Sequence, residues 1–99
     1  VVTVAMGGVM TEIYKDSAVR PAPLSVETAR EMIEEVKGFA LLRGFRGRPK
    51  GDLEALAEAV TAFSLLALDE RIEEAEANPV LVREEGTGVT MLDALIRTR

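Results

Sequence analysis

The chain reads as an α+β domain, a mainly antiparallel sheet with two helices packed on one face. Two observations carry that expectation. Two stretches with apolar residues at helical spacing each follow a capping side chain, and β-rich segments joined by hairpin-length turns flank them on both sides.

Residues 1–6 and 9–14 are β-branched and apolar, and Gly7-Gly8 between them offers the positive φ a tight hairpin uses, so a first hairpin is expected. Lys15-Asp16-Ser17 reads as a bulge or turn. Ala18 to Leu24 should stay extended, because Pro21 and Pro23 bar helix and suit a sheet edge. Ser25 is a good N-cap, with Val26, Ala29, Met32, Ile33 and Val36 at helical spacing and Gly38 where a C-terminal glycine belongs, which predicts a helix over about 26–37. Asp52 caps a second, running to about Leu68, with Leu53, Leu56, Ala57, Val60, Phe63, Ser64 and Ala67 on one side. Leu41 to Gly51 between them reads as a basic, glycine-rich loop. The remainder predicts strands near 71–76, 79–84 and 89–94, the last pair turned by Glu85-Gly86-Thr87-Gly88.

Ninety-nine residues are enough for one small domain, 1–99, with a single aliphatic core: 47% are hydrophobic but only 4% aromatic. That is short for a complete ligase or kinase, and the chain opens directly on strand-like Val1-Val2-Thr3-Val4, so it reads as a fragment or subdomain of a larger protein. The net charge of −5 disfavours nucleic acid and anionic membrane surfaces as partners. No apolar run approaches the length of a membrane span, and a cytoplasmic location is expected. With neither Cys nor His, zinc, iron–sulfur, thiol and imidazole chemistry are excluded within these residues.

What remains is oxygen chemistry. Glu76 and Asn78 lie two apart on one strand and share a face, and a last hairpin that pairs Glu84 with Thr87 would set Asn78 opposite Asp93. Hard oxygen donors gathered in this way suit Mg²⁺ held against nucleotide phosphates. A one-residue slip would send the two side chains to opposite faces. Spacing alone leaves a second reading open, in which Asn78-Pro79 is a strand-breaking turn and Asp93 an end-of-strand cap. Arg43, Arg48 and Lys50 read as a solvated basic loop, whereas Arg46 stands between Gly44 and Gly47, which would let backbone approach a ligand.

Glu76-Ala77-Asn78-Pro79-Val80 with Leu92-Asp93-Ala94 resembles the closing part of the ATP-grasp domain of nucleoside-diphosphate-forming acyl-CoA synthetases, the ADP-forming acetate–CoA ligases related to the succinyl-CoA ligase β subunit. Gly7-Gly8-Val9-Met10-Thr11-Glu12 with Lys15-Asp16 and Val19 to Leu24 is similar to the hairpin before that family's first helix. Leu41 to Pro49 with Asp52 and Leu53 resembles its inter-helix loop. The resemblance covers nearly the whole chain in order.

It implies the C-terminal ATP-grasp subdomain of a ligase that couples ATP/ADP phosphoryl transfer to acyl-CoA thioester formation, by way of a phosphohistidine on a mobile segment. Carried over, Asn78 and Asp93 correspond to Mg²⁺ ligands and Glu76 to a nearby carboxylate at the nucleotide, while Arg20 and Arg46 would lie toward the phosphoryl or substrate side. The implied cofactors are Mg²⁺ and ATP/ADP. The implied partners are the remaining ATP-grasp subdomain and CoA-binding domains, without which this chain alone would be inactive. The family often has a basic residue soon after its final Asp-Ala, where this chain has Leu95 and reaches Arg97 later. A competing function is a degenerate or regulatory ATP-grasp-like module fused to a protein acetyltransferase.

Overall fold

The computed structural model describes residues 1–6, 16–44 and 47–99. Strand β1 (Val2–Ala5) pairs antiparallel with β2 (Ser17–Arg20), Val2 opposite Arg20 and Ala5 opposite Ser17. Helix α1 (Val26–Glu35) follows, then a 3₁₀ helix (Lys37–Arg43), helix α2 (Leu53–Ser64) and a second 3₁₀ turn (Leu65–Leu68). Four strands close the chain: β3 (Ile72–Ala77), β4 (Val80–Val82), β5 (Val89–Met91) and β6 (Ala94–Thr98). The architecture is α+β with antiparallel pairing throughout the described residues.

Both helices start where the side chains dictate. Ser25 Oγ accepts from the backbone N–H of Thr28 at 3.1 Å, and Asp52 Oδ1 accepts from that of Ala55 at 3.1 Å. The two helices pack on each other, α1 also against β2 and α2 also against β5. Their apolar faces bury Ala29, Met32 and Ile33 with Leu56 and Ala57, joined by Val4, Ala18, Leu24, Val36 and Phe39. Among the described residues, every fully buried hydrophobic lies between Val4 and Ala57. Across the helices, Arg30 Nε donates to Glu54 Oε2 at 2.9 Å. Ser64 is buried at the end of α2, where its hydroxyl accepts from the backbone N–H of Leu24.

Several sequence expectations are corrected. Residues 2–5 pair with 17–20, a pairing not expected; the expected first hairpin, with Gly7-Gly8 and all of 9–14, lies outside the described residues. The stretch read as a loop from Leu41 is helical up to Arg43, whose guanidinium donates to the carbonyl oxygens of Ile33 and Glu34 at the end of α1, both at 3.3 Å. These carbonyls have no partners within α1, so a basic side chain arriving from outside supplies one.

Gly38 is not a left-handed cap; that conformation belongs to Gly44, with φ 86°. Gly38 is required by close approach instead, because a Cβ there would stand 2.6 Å from Met6 Cγ and 3.2 Å from Asp16 Oδ2. The Asp16 carboxylate accepts from the backbone N–H groups of Lys37 at 2.8 Å and Gly38 at 2.7 Å. Helix α2 gives way to 3₁₀ geometry after Ser64, and the last predicted strand is two, β5 and β6, separated at Leu92-Asp93. The predicted single sheet is, among the described residues, three two-stranded ladders. No described helix is long and apolar enough to cross a membrane.

Candidate functional site

The four strands of the C-terminal third form two antiparallel arms, β3 with β6 and β4 with β5, whose register is common from Glu74 onward after a shift between Ile72 and Glu74. Ala77 lies opposite Ala94 and Glu76 opposite Leu95 in the outer arm, and Val80 lies opposite Met91 and Val82 opposite Val89 in the inner arm. Between the arms the Asn78 N–H donates to the Asp93 carbonyl oxygen at 3.0 Å, and the Leu92 N–H to the Pro79 carbonyl oxygen at 2.9 Å. These two bonds bridge the break, so Asn78 and Asp93 are joined through their backbones. The turn that sets this register is the one expected from sequence, with the Thr87 N–H donating to the Glu84 carbonyl oxygen at 2.9 Å.

Glu76 shares the face of Asn78: Asn78 Nδ2 donates to Glu76 Oε1 at 3.4 Å. Glu76, Asn78 and Asp93 are all exposed, so none is consumed by the core. Asp93 Oδ1 accepts from the backbone N–H of Ala94 at 2.9 Å, which leaves Oδ2 open to solvent or a ligand. Among the described residues no cluster of three or more carboxylates comes together. Two carboxylates and one amide oxygen are nevertheless the donor set Mg²⁺ takes from protein when water and phosphate oxygens complete its octahedron. The residues fit such an ion in the presence of a nucleotide.

The neighbourhood is acidic and tied up. Arg97 pairs with Glu74 at 2.7 Å and Glu73 at 3.5 Å across the outer arm, and Leu95, opposite Glu76, is two-thirds exposed at 66%. Arg20 at the end of β2 pairs with Glu35 of α1, Nη1 to Oε2 at 3.3 Å, and also donates to its neighbour's carbonyl at Val19 at 2.9 Å. The bond to Arg20 holds the Glu35 carboxyl below its usual range. Arg20 is thus engaged on the helical body and none of its recorded bonds reaches Glu76, Asn78 or Asp93. Arg46 lies outside the described residues. A concavity of about 360 Å³ opens between Leu42, Lys50, Leu53 and Glu85, and its lining includes none of the three ribbon residues.

From the sequence, Asp52 is a helix cap and part of the inter-helix loop motif. It is buried, and its second oxygen reaches the ribbon: Oδ2 accepts from the N–H of Gly88 at 2.8 Å and of Gly86 at 3.1 Å. The cap at Ala55, then Gly88 and Gly86, lower its pKa, against the opposing effect of burial. The only advance signal was two glycines in the turn, both of which adopt left-handed φ, 86° and 90°.

The fold is a two-helix α+β lobe with an antiparallel ribbon that carries exposed Glu76, Asn78 and Asp93. More particularly, the chain belongs to the ATP-grasp domain family, whose model matches residues 1–98. It is 42% identical over 85 residues to the ADP-forming acetate–CoA ligase I of Archaeoglobus fulgidus, covering 85% of this chain and 12% of that protein. It is 38% identical over 93 residues to the β subunit of ADP-forming acetate–CoA ligase II of Pyrococcus furiosus, covering 92% of this chain and 39% of the subunit.

A solved acetyl-coenzyme A synthetase 1 of Ca. Korarchaeum cryptofilum superimposes with a TM-score of 0.88 at 38% identity, covering 98% of this chain and 45% of that one. That protein was captured with coenzyme A and Mg-AMPPCP, its phosphohistidine segment pointing towards the nucleotide binding site. The chain spans less than half the length of each of these relatives.

Proposed function

We propose that this chain is the C-terminal subdomain of the ATP-grasp domain of an NDP-forming acyl-CoA ligase, in which it supplies Mg²⁺–nucleotide ligands to the coupling of ATP/ADP phosphoryl transfer with acyl-CoA thioester formation or breakdown. The observation that supports the reading is the backbone hydrogen bond from exposed Asn78 to exposed Asp93, between the Ala77–Ala94 and Val80–Met91 pairs. Asn78 and Asp93 hold the ion, and Glu76 supports Asn78 from the same face. Bound Mg²⁺ would neutralise phosphate charge during transfer, a reaction that needs positioning and electrostatic stabilisation more than covalent work.

Arg20 and Arg46 are proposed to serve the phosphoryl or substrate side. The partners are the rest of the ATP-grasp domain and CoA-binding domains, and the setting is the cytoplasm. The relatives described above carry ligase and synthetase names, and no observation favours the regulatory alternative.

The test is Asn78→Ala and Asp93→Ala in the full-length ligase. Mg²⁺-dependent acyl-CoA formation should fall by at least about a hundredfold, more for Asp93, with the melting temperature within a few degrees of wild type. Normal turnover at limiting Mg²⁺ in both variants would remove the metal assignment.

A further inference from the structure

A two-stranded ribbon is marginally stable by itself, so its direction is set by what anchors it. Val80, Val82 and Val89 pack on the core, a non-directional attachment. The directional bonds are concentrated at the turn. Asp52 N–H donates to the Arg83 carbonyl oxygen at 2.8 Å, Glu85 N–H to that of Lys50 at 2.8 Å, and Gly51 bridges Glu84. One side chain joins this attachment: Asp52, only 8% exposed, caps α2 with Oδ1 and takes both turn glycines on Oδ2.

We propose that Asp52 is a positioning residue for the Mg²⁺–nucleotide ligands, fixing the angle at which the ribbon leaves the helices and so the place of Asn78 and Asp93. The inference rests on the function proposed above. Its leverage follows from geometry. From Glu84 to Asn78 the ladder runs six residues, about 20 Å, so a tilt of about 5° at the turn displaces the ligands by ~1.7 Å. Displacements of about 1 Å at a reacting centre are enough for large losses of rate.

The discriminating variant is Asp52→Ser, which keeps a good N-cap for α2 but is too short to hold the turn amides. Ser25→Ala, which removes the α1 cap, is the control for lost stability alone. In the full-length ligase, Asp52→Ser should lower kcat/KM for Mg·ATP about tenfold while the KM for CoA is unchanged, and Ser25→Ala should leave both as in wild type at an equal or greater loss of melting temperature. Equal kinetics for the two variants would overturn the proposal. A second readout is independent of activity: hydrogen exchange of segments 78–82 and 89–93 should accelerate in Asp52→Ser and not in Ser25→Ala. Unchanged exchange there overturns the positioning role. A wild-type protein without any Mg²⁺-dependent turnover would instead overturn the proposed function, and with it the catalytic meaning of that position.

Discussion

Leu24 donates its backbone N–H to the buried hydroxyl of Ser64 at 3.0 Å, and that hydroxyl donates onward to the carbonyl oxygen of Thr61 at 2.6 Å. One side chain thus fastens the extended segment before α1 to the last turn of α2. Ser64→Ala removes the acceptor and leaves the Leu24 N–H without its partner in a buried place. It should lower the free energy of unfolding by about 1–3 kcal/mol, read from the urea midpoint. An unchanged midpoint would show that the Leu24 amide finds another acceptor.

Gly38→Ala should destabilise by a similar route of local geometry. A Cβ there would stand 2.6 Å from Met6 Cγ and 3.2 Å from the Asp16 carboxylate that accepts from the Gly38 N–H, so both side chains must shift. Overpacking of this kind costs about 1–3 kcal/mol. Gly86→Ala meets nothing within 4 Å and is strained only through its φ of 86°, so thermal melts of the pair should separate contact from conformation.

Acid should unfold the domain through a defined set of carboxyl groups. Asp52 is held below its ordinary 3.8 by the N–H groups of Ala55, Gly88 and Gly86, Asp69 below the same value by Arg71, and Glu35 and Glu54 below their ordinary 4.5 by Arg20 and Arg30. A folded-state pKa below the unfolded one means that the unfolded chain binds more protons, so the stabilisation is present above the unfolded values and is lost as pH falls through the folded ones. The melting temperature should be flat from neutrality down to about pH 5 and drop below about pH 4. Asp52→Asn should flatten that drop; an acid limb identical to wild type would assign it to other groups.

Arg20→Ala and Glu35→Ala break the same ion pair and should cost the fold equally little, since both side chains are substantially exposed. Only the first removes a cation that a phosphoryl group could use. Turnover of the full-length ligase should fall in Arg20→Ala and persist in Glu35→Ala. Equal kinetics would reduce Arg20 to the strut between β2 and α1.

The parts of this fold legible in advance are those coded locally. Ser25 and Asp52 were readable as caps because each precedes an apolar 3.6 pattern, and the turn after Arg83 was readable from its glycines, although the register it sets was open to a one-residue slip. What escaped was decided across the chain. Val2–Ala5 pairs with Ser17–Arg20, a choice no local pattern announces, and Arg43 reaches back to the end of α1 from a stretch whose composition suggested a loop. The second oxygen of Asp52 belongs with these, because its partners lie thirty-four and thirty-six residues on. For the site, spacing left two readings open and the family resemblance singled out Glu76, Asn78 and Asp93, whereas the bonds that hold the ribbon carrying them are tertiary.

The buried hydrophobic residues stop at Ala57, while Glu76, Asn78 and Asp93 all follow it. Tolerance to mutation should therefore change along the chain. In a library scored separately for expression level and for growth that depends on the ligase, intolerant positions in the first two-thirds would fail on abundance. Those on the ribbon would leave abundance high and fail on growth. Selection would then act on how much protein is made in one stretch of the gene and on what each molecule can do in the other.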